Sequence, residues 1–362
     1  MNIVSKFIEH GISFFAGVPD SVLNEFCQNC LYLPQDQHVI AANEGSAIGL
    51  AIGHYLATGV PAVVYMQNSG LGNAINPILS MAHGSCYSIP IILLIGWRGM
   101  PETADEPQHR KTGVITQELL TLLDIEYAVL EEGNELTSIK KAVSVTHNGR
   151  SFAILVPPSS SKEKMKRTAS ESPMSRLDSL KVIFEYADKN DLFVASTGYT
   201  AREVLLCMSE RKMNTDNLLM ITGAMGHTSQ VAWGIANQLR HKRVWCLEGD
   251  GSYLMHLGGA TTIATRNTNN LIHVVLNNGL HSSVGNSPIT AHKLTLSNIA
   301  KAFNIDDSIR IETKKDLIDV LQSMHLPRFI EIMINTHEQN SLPRPSNNLI
   351  DLGHAFQKAS KR

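Results

Sequence analysis

Two short polar clusters carry oxygen donors of a kind that one cation could share: Gly249-Asp250-Gly251-Ser252 and, further along, Asn277-Asn278-Gly279. A carboxylate, an amide oxygen and a nearby main-chain carbonyl form a hard donor set. Such a set suits Mg²⁺, which binds few protein groups and takes its other ligands from water and phosphate. Taken singly, each cluster is an ordinary turn, because Gly-Asp and Asn-Gly steps commonly end strands. Their context joins them. Residues 243–248 and 271–276 are rich in branched apolar side chains and predict two buried strands. Between them Tyr253, Leu257, Ala260 and Ala264 recur at helical spacing and predict one helix. A strand-helix-strand unit brings Asp250 and Asn278 to the same C-terminal edge of a parallel sheet, where open α/β folds bind ligands.

In that context the two clusters resemble the metal-binding signature of the thiamine diphosphate enzymes. The resemblance implies that Asp250, Asn278 and the carbonyl of Leu280 hold Mg²⁺ against the diphosphate, with Gly249, Gly251 and Ser252 lining the same group. A second motif, Ala41-Ala42-Asn43-Glu44-Gly45, sets an acid at a strand end before a helix of small residues. On its own terms Glu44 is a first-turn acid favoured by the helix dipole, and Asn43 is its cap. In the family the matching acid lies beside the aminopyrimidine and shifts a proton onto it, which makes Glu44 both cofactor-binding and catalytic. The turn Thr222-Gly223-Ala224-Met225-Gly226 follows a strand and opens a helix. By resemblance Gly223 lets the backbone approach the cofactor and Met225 props it in a bent shape.

Three further stretches point to the substrate. Gly17-Val18-Pro19-Asp20-Ser21 turns from strand to helix, and Met66-Gln67-Asn68-Ser69-Gly70-Leu71-Gly72-Asn73 is a glycine-containing turn whose backbone can approach a ligand. Both resemble substrate-side turns of the related decarboxylases and mark Asp20, Ser21 and Asn68. A long polar loop runs from Trp97-Arg98-Gly99 to Asp105-Glu106-Pro107-Gln108-His109-Arg110-Lys111. Loops of that length in compact domains are often functional. His109 is a candidate proton donor there, and His281 is another just after the metal motif. Pyruvate decarboxylases have an acid six residues beyond the second Asn; here that position is Val284. A substrate with a second anion would need a cluster of cationic donors, for which Arg98, His109 and Arg110 in the loop and Arg344 in the Pro-rich tail are the candidates.

The chain has 362 residues, 43% of them hydrophobic, and 31 Lys+Arg stand against 33 Asp+Glu. That length allows two domains, and the balanced charge gives no basic excess for nucleic acid or an anionic membrane. The longest apolar run, residues 89–95, is strand-sized, and the N-terminus lacks a basic-then-apolar pattern, so a cytoplasmic protein is expected. Cys27 and Cys30 form a C-x-x-C without a second pair at zinc spacing and read as packing residues. Apolar strands alternate with helical patterns on both sides of a polar stretch. The fold class is therefore α/β, with two doubly wound parallel-sheet domains: residues 1–158, a linker over 159–178, and residues 179–362.

By resemblance the two domains are the pyrimidine-binding and diphosphate-binding ones, without the central third domain of larger members. With Gly-Trp-Arg-Gly and Asp-Glu-Pro-Gln-His added to the motifs above, the chain is most similar to the phosphonopyruvate decarboxylase branch of this family. The resemblance implies a carbon-carbon lyase that uses thiamine diphosphate and Mg²⁺ on a small 2-oxo acid with a second anionic group. It also implies a homo-oligomer, at least a dimer with active sites at the interface. Sulfopyruvate decarboxylase and a non-catalytic thiamine diphosphate-binding subunit are the alternatives. A nicotinamide-binding protein is disfavoured, since no early G-x-G-x-x-G with a ribose-binding acid is present.

Overall fold

The computed structural model describes residues 2–158, 172–266, 268–290, 294–336, 342 and 348–361. The chain divides into two compact units, Met1–Met165 with His281–Thr290, and Lys166–Leu280 with Ala291–Arg362. Each is built on one six-stranded parallel sheet.

In the first unit the strands are β1 (Phe15–Gly17), β2 (His38–Ile40), β3 (Val63–Gln67), β4 (Ile92–Gly96), β5 (Glu126–Val129) and β6 (Phe152–Val156), in the order β2-β1-β3-β4-β6-β5. In the second they are β7 (Leu192–Ala195), β8 (Leu218–Met220), β9 (Val244–Gly249), β10 (Leu271–Asn277), β13 (Ser308–Ile311) and β14 (Phe329–Met333). Two short strands, β11 (Leu280–His281) and β12 (Ser287–Pro288), pair with each other. The second sheet runs β13-β14-β10-β9-β7-β8, which read from its other edge is the order of the first. β4, β9 and β10 overlap the apolar runs read at 89–95, 243–248 and 271–276, and helices alternate with the strands in both units. The residues of β4, β7 and β10 are buried throughout, as strands covered on both faces must be.

In both units the chain makes its first strand, moves to an edge, then crosses back to the other side. That crossing creates a switch point between β1 and β3 in one unit and between β7 and β9 in the other. Loops leaving the carboxyl ends of strands on either side of a switch point diverge and leave a crevice for a ligand. Gly17–Asp20 and Gln67–Asn68 leave the first sheet at its crevice, and residues 196–199 and 249–252 leave the second at its own.

Local structure departs from the sequence reading in three places. The single helix expected over 253–264 is two, Asp250–Met255 and Gly259–Thr265, with Ala260 and Ile263 rather than Ala264 buried in the second piece. Gly258-Gly259 breaks it: a Cβ at Gly259 would overlap the side chain of Gln230. The loop after Trp97 ends early, because Pro107 starts a helix to Leu122 and puts His109, Arg110 and Lys111 in its first turns. Proline's fixed φ suits that first position. The stretch read as a linker enters a helix at Arg176, where Ser175 and Asp178 form a capping box. Cys27 and Cys30 are buried in the helix Asn24–Cys30, and burial pushes the Cys27 thiol up to about 12, so both pack as unreactive apolar groups.

Candidate active site

In the second unit, the pairing of Leu276 with Gly249 sets the ends of β10 and β9 side by side. Asp250 opens the following helix and is 3% exposed. Its Oδ1 accepts the Gly251 N–H at 2.7 Å, and its Oδ2 accepts those of Gly279 at 2.7 Å and Asn278 at 3.1 Å. The two clusters therefore meet in one turn. Burial pushes the Asp250 carboxyl up to about 6, against these three backbone donors and the Arg176 charge, which pull it down. The Asn278 side-chain oxygen accepts the Leu280 N–H at 3.0 Å.

A buried carboxylate whose charge is costly, beside an amide oxygen and a chain turn rich in carbonyls, is the donor chemistry a hard divalent cation relieves. Asp250, Asn278 and Leu280 thus fit Mg²⁺. The turn is braced from behind: Asn277 donates to Glu331 Oε1 at 2.8 Å and accepts the Gly279 N–H at 3.0 Å, while Glu331 Oε2 accepts the Ser297 N–H at 2.9 Å. Sequence alone named Asn277 only as the neighbour of Asn278 and did not single out Glu331. A second buried carboxylate, Glu248, accepts from Ser252 Oγ at 2.7 Å and meets His273 Nε2 at 2.7 Å. Ser252 Oγ in turn accepts the Gly226 N–H at 3.3 Å, which ties the Gly223–Gly226 turn to the helix of Asp250. Gly223 (φ 76°) and Gly226 (φ 90°) take left-handed conformations, and a Cβ at Gly226 would overlap His256. Met225 between them is half-buried. Because Ser252 gives its hydroxyl proton to Glu248, what it offers a phosphate is its backbone N–H.

In the first unit, Glu44 starts the helix Glu44–Thr58, and Asn43 caps it by accepting the Ser46 N–H at 2.9 Å. Glu44 is 6% exposed. Burial pushes its carboxyl up, and the Asn73 amide, which donates to Oε2 at 2.7 Å, pulls it back. Asn73 ends the glycine-containing stretch Met66–Asn73, which gave it no role; its contact with Glu44 is visible only in three dimensions. Gly70 is the other support, since a Cβ there would overlap the Glu44 carboxyl. Gly70→Ala is therefore expected to displace Glu44 and lower turnover at least tenfold with little loss of secondary structure. Steady-state assay and circular dichroism together check this, and unchanged turnover would show that the contact does not hold the acid in place.

At the switch point of the first sheet, Asp20 is fully buried and accepts from Gln67 Nε2 at 2.7 Å and the Val22 N–H at 2.9 Å; burial pushes its carboxyl up. Asn68 holds the next loop by accepting the Arg98 N–H at 3.1 Å and donating to the Arg98 carbonyl at 2.9 Å. Arg98 grips Asp105 through Nε at 2.8 Å and Nη2 at 2.5 Å, and gives Nη1 to Ser21 Oγ at 3.2 Å. Its charge is therefore already matched by a partner seven residues away. Arg110 and Lys111 are exposed. His109 is buried, its Nδ1 has no hydrogen-bond partner, and burial and the Arg98 charge lower its pKa. Burial likewise lowers His281, to about 4. Both imidazoles are neutral near pH 7 in this state. Arg344 lies outside the described residues.

The sequence matches two families: thiamine pyrophosphate enzyme, N-terminal TPP binding domain, over residues 2–121, and thiamine pyrophosphate enzyme, C-terminal TPP binding domain, over residues 197–332. It is 29% identical to a phosphonopyruvate decarboxylase of Streptomyces viridochromogenes, across 98% of this chain and 93% of that protein. A phosphonopyruvate decarboxylase of Streptomyces hygroscopicus is 30% identical across 81% of this chain and 76% of its own length. A sulfopyruvate decarboxylase of Methanosarcina acetivorans is 26% identical, covering 82% of each chain.

Proposed function

From the premise that this chain belongs to the thiamine pyrophosphate enzymes, as a decarboxylase of 2-oxo acids, we propose that it converts 3-phosphonopyruvate to phosphonoacetaldehyde and carbon dioxide, with Mg²⁺ as the metal. The observation that carries this reading is the meeting of the buried Asp250 carboxylate with the Asn278 turn, in a chain that also buries a lone acid, Glu44, at the strand end the family uses. The reaction would serve the making of phosphonates of the 2-aminoethylphosphonate type. The first unit is the pyrimidine-binding domain and the second the diphosphate-binding domain. The protein works in the cytoplasm as a homo-oligomer, at least a dimer, with its sites at the interface. No helix among the described residues is long and apolar enough to cross a membrane.

Thiamine diphosphate, when bound, supplies a cationic ring that accepts the electron pair released with carbon dioxide. The chain's residues do the rest. Asp250, Asn278 and the Leu280 carbonyl hold the metal, and Gly223, Gly249, Gly251 and Ser252 offer backbone to the diphosphate. Met225 would prop the cofactor from the glycine turn. Glu44 would exchange a proton with the aminopyrimidine, for which a carboxyl whose protonated form is favoured by burial is suited. His109 and His281 are the candidates for protonating the product, and Asp20 lies on the substrate side. Burial lowers both imidazoles, so His109 and His281 rest as proton acceptors near neutral pH, whereas burial raises the Asp20 carboxyl.

Arg98, with Ser21 and Asn68 as its supports and Arg110 beyond it, is the candidate reader of the phosphonate. Asp105 holds the guanidinium rigid, which lowers the ordering cost of binding an anion at its exposed side. Arg98→Ala is expected to cut kcat/KM for phosphonopyruvate by about ten- to a hundred-fold, the worth of one charge-assisted contact, while pyruvate changes little. An unchanged ratio of the two constants sends the anion elsewhere, to Arg344 or His281. The deciding assay for the function itself uses purified protein with Mg²⁺, thiamine diphosphate and each of phosphonopyruvate, sulfopyruvate and pyruvate. Preference for sulfopyruvate would move the chain to that neighbouring activity, and release of no carbon dioxide from any of the three would overturn the reading.

A further inference from the structure

Arg176 is the first residue of the helix Arg176–Tyr186 and is 8% exposed. Burial disfavours a cation at that position, although the Asp178 carboxylate of the capping box offsets the positive end of the helix. One partner offsets part of this: Nε donates to Glu203 Oε2 at 2.9 Å, and Glu203 is itself 1% exposed. The guanidinium carbon also lies 5.3 Å from the centre of the Tyr199 ring. Among the described residues no acceptor meets either of its Nη groups. A buried Arg with two donor groups left over is built for a further acceptor, and the planar fork matches two oxygens of one phosphate.

Its place in the sheet says which anion. Ser172 Oγ donates to the Met333 carbonyl at 2.8 Å and the Asn335 N–H to the Met174 carbonyl at 2.7 Å, so the start of this helix is fixed at the C-terminal end of β14. The Ser196 N–H bonds the Leu247 carbonyl at 2.9 Å, so β7 leaves the sheet beside β9, and the chain turns through Gly198 (φ 87°) into the helix Tyr199–Glu210. Arg176 thus packs against the first residue of one helix while opening another, both on the edge from which Asp250 emerges and beside the crevice between β7 and β9. The uncapped start of the helix Tyr199–Glu210 and the Arg176 fork meet there, a donor arrangement for a multiply charged anion.

Resting on the function proposed above, we propose that Arg176 is a binding residue for the terminal phosphate of thiamine diphosphate, held for that task by Glu203 and Tyr199. It supplies a charge that the metal turn and the glycine turns lack, and it makes the site select the diphosphate over the monophosphate. The test is calorimetric titration of the whole protein, in Mg²⁺, with thiamine diphosphate and separately with thiamine monophosphate. Arg176→Met removes one partner of the buried Glu203, so the double variant Arg176→Met with Glu203→Gln is measured beside it. Both variants are expected to lose about ten- to a hundred-fold in affinity for the diphosphate, as one charge-assisted contact implies, with less than threefold change for the monophosphate. Arg176→Lys, which keeps charge without the fork, should fall between. A folded double variant with wild-type preference for the diphosphate overturns the assignment, and so does a rise in KM for the keto acid at unchanged cofactor affinity. Failure of the unaltered protein to bind thiamine diphosphate at all would instead remove the function on which the assignment rests.

Discussion

Asp250→Ala is expected to lose measurable binding of Mg²⁺ and thiamine diphosphate, and with it all cofactor-dependent activity. The carboxylate is the one full negative charge of the proposed metal set. Altering even a residue behind a metal ligand typically costs 10- to 100-fold in affinity, so losing a ligand should cost more than about a hundred-fold. The same carboxylate accepts three backbone N–H groups, from Gly251, Asn278 and Gly279, in a buried turn. Alanine leaves those donors without their partner, at roughly 1–3 kcal/mol for a buried group. The variant should therefore melt lower even without cofactor. Asp250→Asn separates the effects: the amide oxygen still accepts, so most of the apo stability returns, while the charge and the metal do not. Calorimetric titration and thermal melting of both variants decide the matter. Cofactor affinity near that of the wild type in either one would remove Asp250 from the metal site.

What the sequence made legible follows from how far each signal reaches along the chain. Branched apolar runs announce buried parallel strands locally, so both sheets could be read, and Gly-Asp-Gly with Asn-Asn could be placed on one edge because β9 and β10 are neighbours in sequence as in space. Side-chain partners far apart in the chain could not be. Arg98 read as a cation open to an anion, yet Asp105 folds back on it; Ser252 read as lining the diphosphate, yet its hydroxyl donates a hydrogen bond to Glu248; Glu44 read as a first-turn acid, yet Asn73 donates to its carboxyl. Arg176 lay in a stretch whose polar composition suggested a linker; the Ser175–Asp178 capping box was the signal that a helix began there. Gly258-Gly259, where the helix breaks, was a signal of the same kind that the apolar spacing around it masked.

Glu44→Gln should separate binding from chemistry where Asp250→Ala removes both. The amide that replaces the carboxyl has the same shape, and its oxygen can still accept from Asn73 at the position of Oε2, so the helix start and the wall at Gly70 stay as they are. Cofactor affinity is expected to change less than about fivefold. Turnover should fall by about 10²- to 10⁴-fold, the usual contribution of a positioned proton-transfer group, since an amide neither gives nor takes the aminopyrimidine proton. Stability should move the other way. Burial raises the Glu44 carboxyl in the folded state, so the fold holds that proton more tightly than the unfolded chain does. The acid therefore costs stability as pH rises from its unfolded range through its folded pKa, and the cost is fully present above both. Gln removes it, so the variant should melt no lower than the wild type at pH 5 and higher at pH 8. A gain in stability at the expense of turnover is what a strained functional acid leaves behind when it is neutralised. Melting curves at the two pH values and single-turnover assays at saturating cofactor test both halves. Near-normal turnover in the Gln variant would sink the proton-transfer role, and a lower melting point at pH 8 would mean that the buried carboxylate has a compensating cation which the first unit alone does not supply.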